Sequence, residues 1–308
     1  HRALQVPQTS DSKAGFKRGK HATVSAMLNE EHVRRRFDRA AGQFDGADFV
    51  HATTRHGLLA RLEPLLTDAK VVVDLGSATG SANALLRKRF KGARIICVDF
   101  ARRMLERARQ KKSWLSNTAF VQARAEALPF ANESIDVIFS NQLLPWINNP
   151  ATVFSEVARV LRKGGVFAFA TLGPDSFREI RHAWRQLDDN PHVSAFPDMH
   201  DLGDSLVGAG LRDPVLDVDR LRIDYRNADR LSADLAACGA RNALKSRGKA
   251  LTGKHRYAAM LESLADPAAG GSITLDLELV YGHCWGAGPK MDPLNYRIDA
   301  RRIPLRRN

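Results

Sequence analysis

Apolar runs of five or six residues alternate with helically spaced segments through the first half of the chain. Val71–Val73 is an unbroken β-branched run leading into Asp74, the pattern of a strand buried on both faces of a parallel sheet. Arg94–Asp99, Ala119–Ala123, Ile135–Ser140 and Val166–Thr171 read as further strands. Helical spacing fills the gaps at Ser81–Phe90, Ala101–Lys112 and Ala151–Leu161, and the Gly164–Gly165 pair after the last predicts a helix stop. Ahead of the first strand, Asn29–Ala41 predicts an amphipathic helix capped by Asn29, and Val50–Leu66 a second helix ending near Pro64. Repeated strand–helix alternation predicts an α/β fold with a doubly wound, mostly parallel sheet. Right-handed crossovers then gather the strand ends on one edge.

After Leu172 the texture changes. A Pro174–Asp175 turn precedes a helix carrying Phe177, Ile180, Trp184 and Leu187. Short helices are expected over Leu202–Leu211, Ala228–Cys238 and Tyr257–Leu264, with a basic loop at 241–254. Val215–Tyr225 and Ile273–Tyr281 alternate as strands. The pattern divides the chain into a disordered basic arm (1–28), covering helices (29–66), an α/β core (67–172), a lid with the last sheet strands (173–286) and a basic tail (287–308).

Composition sharpens this picture in two ways. With 44% hydrophobic residues among 308, a sizeable core is affordable and global disorder is excluded. A formal charge of +13 implies an acidic partner. Cys97, Cys238 and Cys284 form no paired motif, so no disulfide framework or metal site is expected, and a reducing cytoplasm fits. No apolar run reaches the length of a membrane span. A monomer is expected.

The candidate chemistry lies in VVVDLGSATG. Gly76 and Gly80 permit a tight turn and close backbone approach to a ligand. Ala78 and Ser81 stand where a strict dinucleotide fingerprint has glycines, which counts against NAD or FAD. Asp99 follows Gly80 by 19 positions, the spacing at which a carboxylate accepts hydrogen bonds from ribose hydroxyls. The same Asp alternatively caps a helix.

The run Asp74–Gly76–Ala78–Gly80 resembles the first motif of class I S-adenosylmethionine-dependent methyltransferases, whose fold is Rossmann-like. AEALPF, IDVIFSNQLLPW and LRKGGVFAFATLG follow in that family's order. RRRFDRAAGQFD, LGPDSFREIRHAW, DLAACGARN and VYGHCWG are similar to the malonyl-acyl-carrier-protein O-methyltransferases of biotin synthesis. The likeness covers roughly residues 32 to 286. It implies methylation of the free carboxylate of a malonyl thioester, with S-adenosyl-L-methionine as cofactor and an acidic acyl carrier protein, or another acidic protein, as partner. A carboxylate is ionised at neutral pH and needs no general base.

The resemblance also implies roles. Asp74, Gly76, Ala78 and Gly80 hold the methionine end of the cofactor, Asp99 its ribose, and Met104 and Ala125 its adenine. Asn141 begins the loop where donor meets acceptor. Substrate capture needs a cation, for which Arg181 is the candidate and His182 a second. Phe44 and Trp146 wall the substrate pocket. Three positions depart from the family pattern: Ala78 for a glycine, Arg124 for an aspartate, Phe44 for a tyrosine. Two other classes share features of this sequence. Respiratory complex I assembly factors carry a similar LGPDSFREIR segment, and an RNA methyltransferase would account for the charge. No RNA-binding module accompanies the core, so nucleic acid is not the expected partner.

Overall fold

The computed structural model describes residues 27–65, 68–114, 116–246 and 254–288; most of the expected basic arm and the expected basic tail, and residues 247–253 of the expected basic loop, lie outside the described residues. One seven-stranded sheet organises these residues. Its strands are β1 (Val71–Leu75), β2 (Arg94–Asp99), β3 (Thr118–Gln122), β4 (Ile135–Asn141), β5 (Leu161–Leu172), β6 (Arg212–Tyr225) and β7 (Ile273–Trp285). Their spatial order is β3-β2-β1-β4-β5-β7-β6. The first five are mutually parallel, while β7 runs antiparallel to both β5 and β6. The order reverses beside β1, which pairs β2 on one side and β4 on the other. A crevice opens at such a switch point, beyond the carboxyl ends of the strands.

The helices are α1 (Glu30–Ala40), α2 (Phe49–Leu62), α3 (Asn83–Arg89), α4 (Arg102–Gln110), α5 (Pro150–Val160), α6 (Arg178–Arg185), α7 (Met199–Gly208), α8 (Ala228–Ala237) and α9 (Lys254–Leu264). Val73, Ile138 and Phe167 face one layer with Phe154 of α5, whereas Val72, Val137 and Ala168 face the other with Leu58 of α2 and Leu86 of α3. That two-sided burial explains why the parallel strands read as continuous apolar runs rather than alternating ones.

Several boundaries differ from the sequence pattern, and two of the differences have a clear cause in strand pairing. Arg162–Gly165, expected as a helix-stopping turn, is part of β5, and α5 ends earlier, at Val160. The cause is a distant partner: the N–H of Gly164 donates to Gly286 O and that of Gly286 to Gly165 O. The pairing register with β4 shifts between Ile135 and Val137, which absorbs the extra residues. The last strand likewise runs on past Tyr281 to Trp285, because it is paired along both edges.

Candidate functional site

The site begins at the turn after β1. Gly76 and Ser77 both donate their N–H to Val98 O, at 2.8 and 3.0 Å, which bends the chain across the end of β2. Gly76 adopts φ +76°, which favours glycine, and a Cβ there would press against the Leu143 side chain at 3.1 Å. Gly80 (φ +73°) would bring a Cβ to 3.0 Å from Ala108 of α4. Between them Ala78 sits at φ +46°, a region that costs an L-residue about 1–2 kcal/mol. What holds it is Asp99, whose Oδ2 accepts the Ala78 N–H at 2.9 Å while its Oδ1 accepts that of Ala101 at 2.8 Å. Despite these bonds, burial pushes the Asp99 carboxyl up to about 6. Asp74 lies deeper, 2% exposed, with Oδ2 unpartnered. Burial, then the charge of Asp99, raises it to about 7.

The first of the covering helices, α1, lies over this turn. Asn29 caps α1 by accepting the His32 N–H, and Asn148 ties the helix down through Leu28 and Glu30. Phe37 of α1 meets Trp146 edge-on at 5.0 Å and Phe100 at 6.5 Å. Glu30 pairs with Arg124 at 2.8 Å, and this hydrogen bond holds the Glu30 carboxyl below its ordinary range. Arg124, where the family pattern has an aspartate, therefore links the core to the lid. Phe44, in a short 3₁₀ turn between α1 and α2, is buried with its ring 5.1 Å from that of His51.

Eight of the residues singled out from the sequence line one cavity beneath α1: Phe44, Gly76, Ala78, Asp99, Arg124, Ala125, Asn141 and Trp146. Asp74 and Gly80 support the turn and lie outside the lining residues. Met104 is fully buried in the cluster of Val33, Phe37 and Phe44, and Phe100 takes the wall position beside Asp99. Arg181 and His182 also fall outside the wall. Helix α6 turns Ile180, Ala183 and Trp184 into a separate cluster with Met260 of α9. The Arg181 guanidinium donates to Pro174 O, and exposed His182 meets Gln186.

The wall also holds residues not singled out beforehand, chiefly His51, Phe37, Glu30 and Phe100. His51 had a readable signal: with Thr54, Leu58 and Leu62 it follows the 3.6-residue repeat of the buried face of α2. Burial holds its imidazole at about 4, so it is neutral near pH 7. Its carbonyl accepts Nδ2 of Asn141 at 2.9 Å.

The arrangement suits a ligand with a polar, charged end and a flat, apolar body. The glycine cradle admits backbone contact, Asp99 offers acceptors, and Phe100, Ala125 and Trp146 supply apolar surface. Buried polar atoms without a hydrogen-bond partner lie on Asn141 and His51 of the wall and on Asp74 behind it. Among the described residues no group of three or more His, Cys, Asp or Glu side chains is placed to hold a metal ion, and no helix is long and apolar enough to cross a membrane.

A family model described as a methyltransferase domain matches residues 73–169, from β1 through most of β5. A protein of Halorhodospira halophila named malonyl-acyl-carrier-protein O-methyltransferase is 37% identical over 286 residues, spanning 91% of this chain and 97% of its own. A protein of the same name from Gallionella capsiferriformans is 34% identical over 272 residues, spanning 86% and 94%. Among solved structures, the YcgJ protein from Bacillus subtilis superposes with a TM-score of 0.56 at 19% identity, over 76% of this chain and 99% of that one. That last likeness is one of fold.

Proposed function

From a chain that belongs to the malonyl-acyl-carrier-protein O-methyltransferase family, we propose an enzyme that methylates the free carboxylate of a malonyl thioester on a carrier protein, using S-adenosyl-L-methionine. The observation that carries this reading is the cavity at the switch point. It combines a glycine cradle, a carboxylate at the end of β2 and orphaned polar atoms under an aromatic lid. In the family named, such chemistry converts the acidic primer of biotin synthesis into an apolar one.

The chain's residues fit the methyl donor. Gly76 and Ala78 would lie against its amino-acid end, Asp99 would accept from the ribose hydroxyls, and Phe100 and Ala125 would flank the adenine. When bound, the donor supplies a methyl on a sulfonium, and transfer forms a carbon–oxygen bond to the carboxylate as the carbon–sulfur pair returns to sulfur. No proton moves, so the site's work is alignment and exclusion of water. Phe37, Phe44 and Trp146 exclude water. Asn141, locked by the His51 carbonyl, fixes the edge of the loop where the two reactants meet. The basic balance of the chain steers an acidic carrier toward it.

The test is labelled S-adenosylmethionine with malonyl carrier protein, malonyl-coenzyme A and bulk RNA in parallel. Base-labile label on the malonyl thioesters is expected. Label on RNA, or no transfer together with stable capture of a protein partner, would replace the proposal with one of the two other classes.

A further inference from the structure

The positive charge of the chain is gathered on one side of the sheet. Between Asn83 and Lys112, a stretch covering α3, β2 and α4, stand eleven lysines and arginines and two carboxylates, a net +9 in a chain whose total is +13. One of the two carboxylates, Asp99, faces the cavity. Helices α3 and α4 pack on the same face of the sheet through Leu86 and Leu105. Because α4 turns Met104, Leu105 and Ala108 inward, Arg103 and Arg107, one turn apart, share its outer face. Among the described residues, only Arg102 and Lys111 of the eleven pair with a carboxylate, Glu106 at 2.8 Å and Asp45 at 2.6 Å. The opposite edge of the sheet shows the ordinary arrangement, with Arg178, Arg220 and Arg222 each matched to Asp175 or Asp276. Just beyond α4, Trp114 is 88% exposed, the most exposed of the large hydrophobic residues described. Solubility alone would account for the charge, but not for a bare indole beside it.

This face adjoins the covered cavity. Phe100 of the wall leads directly into α4, and the Arg103 N–H donates to Asp38 of α1 at 2.9 Å. Lys111 reaches Asp45, the residue next to Phe44 of the wall. A molecule resting on α4 therefore lies against both segments that cover the site. Unpaired arginines beside an exposed tryptophan match the composition of protein-binding hot spots, and the sign of the charge selects an acidic partner. A lipid surface fits less well, because the apolar side of α4 is buried in the core and leaves no amphipathic face to insert. We propose that the outer face of α4, from Arg103 to Lys112 with Trp114 at its end, is where the acidic carrier protein docks while its tethered malonyl group enters the cavity. This assignment rests on the carrier-protein reading of the substrate.

The experiment measures steady-state kinetics of the full chain with malonyl carrier protein and with malonyl-coenzyme A, which presents the same thioester without a protein. The pair Arg107→Glu and Lys112→Glu should raise KM for the carrier about tenfold or more, with kcat and both constants for malonyl-coenzyme A within about twofold. Trp114→Ala should raise the carrier KM about threefold or more, again leaving malonyl-coenzyme A alone. Arg185→Glu with Arg226→Glu makes the same change in net charge away from α4, and should move the carrier KM by less than about threefold. Melting curves establish that each variant is folded. An unchanged carrier KM in the α4 pair, an equal loss in the control pair, or an equal loss on both thioesters overturns the assignment while leaving the methyl-transfer reading intact. Binding to anionic vesicles that the α4 pair abolishes, with the carrier KM unmoved, would give the face to lipid instead. If wild type methylates neither thioester, the carrier-protein reading falls as well.

Discussion

Replacing Asp74 by Asn should make the ligand-free protein progressively more stable than wild type as pH rises. Asp74 is buried at the end of β1 with Oδ2 unpartnered, and its carboxyl is raised from 3.8 to about 7 by burial first and the charge of Asp99 second. A carboxyl raised by folding binds its proton more tightly in the folded state than in the unfolded one. Its contribution to stability is therefore most favourable below pH 3.8 and declines as pH rises from there through about 7. At about 1.4 kcal/mol per pKa unit, the ionised group costs about 4 kcal/mol above pH 8, of which about 2–3 kcal/mol accrues between pH 5 and 8. The Asn variant keeps the shape and removes the titration. An amide hydrogen without an acceptor adds a fixed penalty of about 1–3 kcal/mol, but that term does not vary with pH. Urea unfolding at pH 5 and pH 8 separates the two. The variant should gain about 2–3 kcal/mol on wild type between those pH values, and an identical difference at both would mean that folding leaves the Asp74 carboxyl unshifted. The same variant should bind the methyl donor more weakly, the trade expected where a strained group is kept for function.

Three further substitutions probe the turn and the lid, and one assay probes the charge. Ala78→Gly relieves a left-handed alanine at some entropic cost in the unfolded chain, and should raise stability by about 0.5–1 kcal/mol in thermal melts. Phe37→Ala removes the ring that meets Trp146 and Phe100, and should cost about 3 kcal/mol in denaturant unfolding together with most donor affinity. Arg124→Asp breaks the half-exposed pair with Glu30 and places a like charge beside it, so global stability should fall by less than about 1 kcal/mol. Hydrogen exchange at residues 30–40 should nonetheless quicken, reporting a loosened α1. Finally, methylation of malonyl carrier protein should slow steeply with added salt, and that of malonyl-coenzyme A much less, because steering of an acidic protein is screened within about 10 Å.

The strands of the parallel half and the glycine turn were legible because their signals are local. Val71–Val73, Gly76 and Gly80 carry burial, turn and close approach within ten residues, and Asp99 follows at a spacing set by one intervening helix. What escaped depends on partners far along the chain. Gly164 and Gly165 look like a helix stop until Gly286 pairs with them. Met104 announces burial by its periodicity, but only the arrival of α1 decides that it packs behind the cavity wall rather than in it. Arg181 sits at helical spacing after β5, where a substrate-binding cation is expected. Which face of α6 turns inward is decided by Ile180, Ala183 and Trp184 meeting α9. His51 is the instructive miss: its position on the buried face of α2 was readable, but a lone histidine on such a face carries no chemistry until Asn141 and the unpartnered Nδ1 are seen beside it.

We propose that this cavity delivers a methyl group to a free carboxylate. Intact-mass measurement on two carrier proteins tests it most directly, one loaded with a malonyl arm and one with an acetyl arm, each incubated with the enzyme and S-adenosylmethionine. The malonyl form should gain the mass of a single methyl group, and the acetyl form should gain nothing. Methylation of both forms, or of neither, would contradict it.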